Sequence, residues 1–104
     1  MRTAMHINAP RDTRYTEWQQ LGNAVIVQAV KDYRRARKRY SRAVRRLNSE
    51  QPLPVEDMRR QRSRRDCAAA EMRRIEQFFL SDWFTVLSRA DGQALLETLR
   101  KEVA

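Results

Sequence analysis

The sequence predicts an all-α protein: a long antiparallel helical hairpin with one or two short C-terminal helices packed at its apolar end. Three observations predict it. Apolar and small residues recur at helical spacing over most of the 104 residues. Only 2 Gly are present, too few for the turns of a β protein. Pro52 and Pro54 interrupt the helical pattern near the middle of the chain. The length allows one helical domain, residues 15–104, after a flexible N-terminal arm over residues 1–14, where Pro10 and scattered polar residues show no apolar period.

Thr16, followed by Gln19, reads as a capping box that opens the first helix. This helix runs to about Leu47, near 50 Å in length. Ile26, Tyr33, Tyr40 and Leu47 recur in one heptad position, and Gly22, Ala29, Ala36 and Ala43 in another. Such a seam of large and small residues lets a partner helix approach closely.

Asn48 to Pro54 forms the break. Pro54 suits the first turn of a second helix, and Glu56 and Asp57 favour its N-terminus through the helix dipole. The second helix runs to about Leu80. Its seam is Met58, Gln61, Arg65, Ala68, Met72, Ile75 and Phe79, polar at the start and apolar at the end. Ser81 and Asp82 start a short third helix through Leu87. A last helix, capped at Ser88 or Asp91, carries Ala94, Leu95, Leu99 and Val103 on one face.

A short connection between long helices favours an antiparallel hairpin. The open end would then hold Trp18, Leu21, Val25 to Val27 and Val30 against Ile75, Phe78, Phe79, Trp83, Phe84, Leu87 and Leu95. Ala24 to Val30 is apolar almost all round apart from Gln28, so cover on more than one side is expected. The aromatics from Phe78 to Phe84 exceed what one helical face can bury. Phe79 and Trp83 are expected in the core. Phe78, Trp83 and Phe84 form the candidate interface set, with the intersubunit or intermodule contact expected from one of the aromatics outside the core pair, Phe78 or Phe84.

The net charge is +9, and it is localised. Residues 31–46 hold nine bases and one acid, and residues 59–74 hold seven bases and two acids, so the rest of the chain is net acidic. An antiparallel hairpin brings both blocks to the tip where the chain turns. Localised charge concerns partners rather than fold. On a helical wheel Tyr33, Ala36, Tyr40, Ala43, Val44 and Leu47 share one arc. Arg34, Arg35, Lys38, Arg39, Arg42, Arg45 and Arg46 lie opposite, with Arg37 at the border. These seven bases, with Arg59, Arg60, Arg62 and Arg64, are the candidate nucleic-acid-binding residues. A guanidinium grips phosphate oxygens with two donors, and the chain has only three lysines. A merely solvated face usually mixes both signs, and Asp32 is the one acid in its block.

Tyr33 and Tyr40 could stack on bases, but their seam positions favour core packing with the hydroxyls at the rim. A membrane surface is disfavoured by the alanine row, which suits a neighbouring backbone rather than lipid.

Little points to catalysis. His6 is the only His and falls in the arm, so no zinc cluster of the usual kind is expected. Cys67, beside Asp66 and three alanines, has no His placed to activate it. The pairs Glu71 and Glu76, or Asp82 and Asp91, do not stand apart from surface acids and helix caps. No Gly-rich phosphate loop is present. The expectation is no enzyme, no metal and no cofactor. The lone Cys, the lack of a secretory leader and the lack of a long apolar run suggest a cytoplasmic setting.

The run Ala24-Val25-Ile26-Val27-Gln28-Ala29-Val30-Lys31-Asp32-Tyr33-Arg34, then Ile75-Glu76-Gln77-Phe78-Phe79-Leu80-Ser81-Asp82-Trp83-Phe84 and Asp91-Gly92, resembles small helical proteins of unknown function encoded on bacteriophages and integrative or conjugative elements. The similarity spans most of residues 18–100, carries no catalytic motif and does not include the basic tip. It implies a cytosolic, mobile-element setting.

Together these readings lead to a non-enzymatic protein that binds DNA or RNA through phosphate contacts from the arginine-rich tip. The alternative is a protein-interaction module that inhibits a host defence complex, in the manner of an anti-CRISPR, with a nucleic-acid-binding host protein as its partner. Homodimerisation would double the basic surface.

Overall fold

The computed structural model describes residues 9–102, with side chains from Gln19 onward. Four helices follow in order: α1, Ala9–Leu47; α2, Val55–Phe79; α3, Asp82–Leu87; and α4, Gly92–Lys101. No strand occurs among the described residues. The all-α hairpin with short C-terminal helices is what the structure adopts. Residues 1–8, which include His6, the side chain of Trp18, and Val103 lie outside the described residues.

The first helix begins earlier than the capping-box reading placed it. Thr16 lies inside α1, and residues 9–14, assigned to the arm, are helical. Pro10 explains how this is possible. In the first turn its missing N–H would have no helical acceptor, and its fixed φ already suits a helix.

At the other end, the amide of Asn48 donates to the Val44 carbonyl at 2.9 Å, which closes the last full turn. The chain then turns through Pro52 and Pro54. Pro54 stands at the N-cap of α2, one place before the first turn, with φ −56° and ψ 150°. Its carbonyl accepts from the Met58 amide at 2.9 Å. Glu56 and Asp57 fill the first turn, where their charge meets the positive helix end.

The small-residue row does bring the hairpin together. Ala36, Ala43 and Ala68 are all buried between α1 and α2. Gly22 continues the row toward the open end, where the backbone carbonyl of Leu87 lies against its Cα. A side chain at Gly22 would collide with that carbonyl, so α3 can sit there only because the position is glycine.

Short-range caps set the remaining elements. Ser81 Oγ accepts from the Phe84 amide at 3.3 Å and opens α3. Asp91 rather than Ser88 caps α4, its Oδ1 accepting from the amides of Gln93 at 3.0 Å and Ala94 at 3.2 Å. Gly92 then packs against the Phe79 carbonyl. That contact docks the start of α4 on the end of α2.

The core lies at this end and consists of Tyr33, Phe79, Phe84, Leu96 and Leu99, flanked by Ile26, Ala29, Val30, Met72, Ile75, Phe78 and Leu95. The Phe79 and Phe84 rings meet edge to face at 5.9 Å, and Phe78 meets Phe84 at 5.7 Å.

Two expectations about this end are corrected. Leu21, Val25 and Val27 are exposed, so Ala24 to Val30 is not covered on several sides. At 39 residues α1 outruns the 25 residues of α2, and the six of α3 reach only the Gly22 face. Trp83 is 61% exposed, whereas Phe84 is fully buried. A helix of six residues has one inward face, and neighbours point about 100° apart, so only one of the two can occupy it. Phe84 therefore offers no surface to a partner, Phe78 is half-buried, and Trp83 alone of the three is open.

The molecule measures 72 × 23 × 22 Å. No described helix is long and apolar enough to cross a membrane.

Candidate nucleic-acid interface

Beyond the core, the hairpin narrows to α1 and α2 alone, and its surface is dominated by arginine. The bases were expected opposite the seam. Several instead reach round to its edge. Arg39 and Arg42 of α1 and Gln61, Ser63, Arg64, Cys67 and Glu71 of α2 line an open groove floored by Ala43 and Ala68, about 450 Å³ in volume. Toward the turn it continues between Arg42, Arg45, Arg46, Ser49, Gln61 and Arg64. The physical cause is the alanine row. Small residues on the seam leave space above them, and the long stems of arginine can lie along it with their charged heads in water.

The candidate bases fall into two groups. The first is held in ion pairs. Arg34 Nη2 lies 2.7 Å from Glu102 Oε2, Arg35 3.7 Å from Asp32, Arg39 2.9 Å from Glu71 and Arg60 2.7 Å from Asp57. The second group comprises Lys38, Arg42, Arg45, Arg46, Arg59, Arg62 and Arg64. All are exposed, and none makes an ion pair among the described residues. Of these, Arg42, Arg45, Arg46 and Arg64 converge on the groove, while Lys38, Arg59 and Arg62 stand elsewhere on the two helices.

Glu102 accounts for the most strongly held pair of bases. Arg34 binds it through two nitrogens, and Arg37 Nη2 reaches its Oε1 at 2.9 Å. Arg37 also donates to the Leu99 carbonyl. These contacts fix the end of α4 against α1. The two guanidinium groups hold the Glu102 carboxyl well below its ordinary range, at about 2, with the Arg34 hydrogen bond the larger cause. Arg34 is shifted up by the same contact. A site residue expected to be free for a ligand is thus committed to the fold.

Sequence reasoning put Gln61 on the α2 seam but did not see that it, Ser63 and Cys67 line the groove. The signal was present: with Ala68 as the buried reference, Gln61 and Arg64 recur two turns and one turn earlier on the same face. Tyr33 is buried, as its seam position required. Tyr40 is 36% exposed, in a depression with Ser41, Val44, Arg45, Asn48, Ser49 and Glu50 that adjoins the arginine groove through Arg45 but lies off its floor of Ala43 and Ala68.

No family model, curated protein or solved structure matches the chain. Function is therefore read from the site. Among the described residues no group of three or more His, Cys, Asp and Glu could hold a metal ion. Cys67 is exposed, with no His near it among the described residues. The chemistry the groove can offer is hydrogen-bond donation and positive charge.

Proposed function

We propose that the protein is a non-enzymatic nucleic-acid-binding protein of a mobile genetic element, contacting phosphates through its arginine-rich hairpin tip. The observation that carries this reading is the convergence of Arg42, Arg45, Arg46 and Arg64 on one groove without an ion pair among the described residues. Arginines that serve only solubility or helix stability gain from pairing with nearby acids, as Arg60 does with Asp57. Four that converge without such pairs repel one another, and a polyanion relieves that repulsion. The mobile-element setting rests on the resemblance of residues 24–34, 75–84 and 91–92.

Fluorescence anisotropy with labelled DNA and RNA over a salt series tests the reading. If about six phosphates are neutralised on a duplex, log affinity falls with log salt at a slope near −5. Replacing Arg42, Arg45, Arg46 and Arg64 together by Gln abolishes binding while the helical circular dichroism persists. Unchanged affinity in that variant refutes the proposal.

The second reading, a module that inhibits a host defence complex, is favoured by a separate observation. Leu80, Trp83 and Val86 are all more than half exposed around α3, at the end remote from the arginine groove. Large exposed aromatics are frequent anchors of protein contacts. A 1:1 complex with a host nuclease that survives high salt and is lost in Trp83→Ser supports this reading over the first.

A further inference from the structure

Resting on the nucleic-acid reading above, we infer that the ligand is double-stranded, gripped by its phosphates along the arginine groove with its bases unread. Two features carry the inference: the groove has no stacking surface, and its face is too broad to enter a duplex groove.

Proteins that hold single strands combine positive charge with aromatic platforms on which the bases stack. Between residues 31 and 74 the only aromatics are Tyr33 and Tyr40. The Tyr33 ring is buried, and its hydroxyl is committed to Glu76. Tyr40 opens into a separate depression with Asn48 and Glu50, which shares Arg45 with the arginine groove but lies off the groove floor. The floor of the arginine groove is Ala43 and Ala68. A flexible strand laid there has its phosphates met but its bases left unstacked in water. A duplex keeps its bases stacked on each other and presents phosphates already fixed in space, so less ordering is required on binding.

The face that bears the groove is two helices wide. With helix diameters of about 10–12 Å and axes about 8–10 Å apart, it is about 20 Å across. The major groove of B-form DNA is about 12 Å wide. With the arginines turned toward it, the hairpin bridges phosphates and cannot lower its groove onto base edges. The spacing suits such a role. Arg42 and Arg46, neither in an ion pair, form one row that rises about 6 Å along α1, the axial distance of about two phosphates on one strand. Arg64 faces them from α2.

The test compares duplex DNA, duplex RNA and their separate single strands, all of equal length and at matched ionic strength, by anisotropy. At least one duplex is expected to bind about tenfold tighter than its own single strands, since no stacking contributes on the single-strand side. Tyr40→Leu, which keeps an apolar side chain at the seam, is expected to leave every affinity within about twofold, because no base stacks there. Single strands that bind as tightly as both duplexes, or a loss of about tenfold in Tyr40→Leu, overturn the duplex inference and leave phosphate binding standing. Failure of every ligand to bind at low salt overturns the parent reading as well.

Discussion

The hydroxyl of Tyr33 donates to Glu76 Oε2 at 2.7 Å, across the hairpin from α1 to α2. The other carboxylate oxygen of Glu76 lies 3.5 Å from Arg100 of α4. One carboxylate therefore ties three helices at the level where the basic half of the hairpin meets the aromatic core. The guanidinium of Arg37 stands 5.8 Å from the centre of the Tyr33 ring, which adds a cation–π contact from the same helix. Burial, and then the Glu76 contact, push the phenol's pKa up, so the donated proton is firmly held.

Tyr33→Phe removes the donor and keeps the ring. Glu76 retains Arg100, so it is not left wholly unpaired. The expected loss is about 1.5–3 kcal/mol, the usual worth of a hydrogen bond to a charged group. A urea titration checks it: the midpoint falls while the slope is unchanged.

Gly22 and Gly92 are required by close approach, not by unusual backbone angles, since no glycine has a positive φ. A Cβ at either position would drive into a backbone carbonyl, that of Leu87 or of Phe79. Backbone cannot swing aside as a flexible side chain can. Gly22→Ala and Gly92→Ala should each cost about 1–3 kcal/mol, as overpacking does. This outweighs the gain of up to about 1 kcal/mol that alanine brings to a helix interior. Thermal melts that show either variant to be more stable than the parent would contradict the packing described here.

Trp83 and Phe84 are neighbours with opposite fates. Phe84→Ala empties the core and should cost about 3–5 kcal/mol. Trp83→Ala touches only the surface and should change stability by no more than about 0.5 kcal/mol. Chemical denaturation of the two variants side by side distinguishes them.

That contrast shows where the sequence was legible. The heptad of Ala36 and Ala43 is a local, periodic signal, and it correctly placed the α1–α2 contact, while Gly22 in the same row meets α3 instead. The caps at Ser81 and Asp91 are equally local. The choice between Trp83 and Phe84 depends on how six residues of α3 lean on two longer helices, which no period encodes. The overhang of α1 likewise depends on a start at Ala9 that Pro10 concealed. In the site, the basic end was legible from charge alone, but its division into paired and unpaired arginines was not. Arg34 is committed to Glu102, far away in sequence, and only the docking of α4 brings them together.

Glu102 makes that docking sensitive to acid. Its carboxyl falls from an ordinary value of 4.5 to about 2 in the fold. A depressed acid contributes stability above its unfolded value, and that contribution disappears as pH falls through the folded one. The contribution from Glu102 is therefore complete at neutral pH and is lost between about pH 4.5 and 2. Glu102→Gln should melt below the parent at pH 7, with the gap closing toward pH 2. An equal gap at both ends of that range would show that the Arg34 and Arg37 contacts do not depend on the carboxylate charge.

Cys67 supplies a footprint of the groove. It is the chain's only cysteine, it is exposed, and it lies beside Arg64 and opposite Arg42 in the groove wall. A duplex seated on those arginines covers the thiol. Alkylation by a maleimide should slow severalfold when duplex is added at low salt and return to the free rate at high salt, as phosphate contacts dissolve. Alanine at Arg42 and Arg64 should remove the protection while leaving the free rate nearly unchanged. If duplex binds yet Cys67 reacts at its free rate, the ligand lies on the outer faces with Lys38, Arg59 and Arg62, and the groove is not the contact surface.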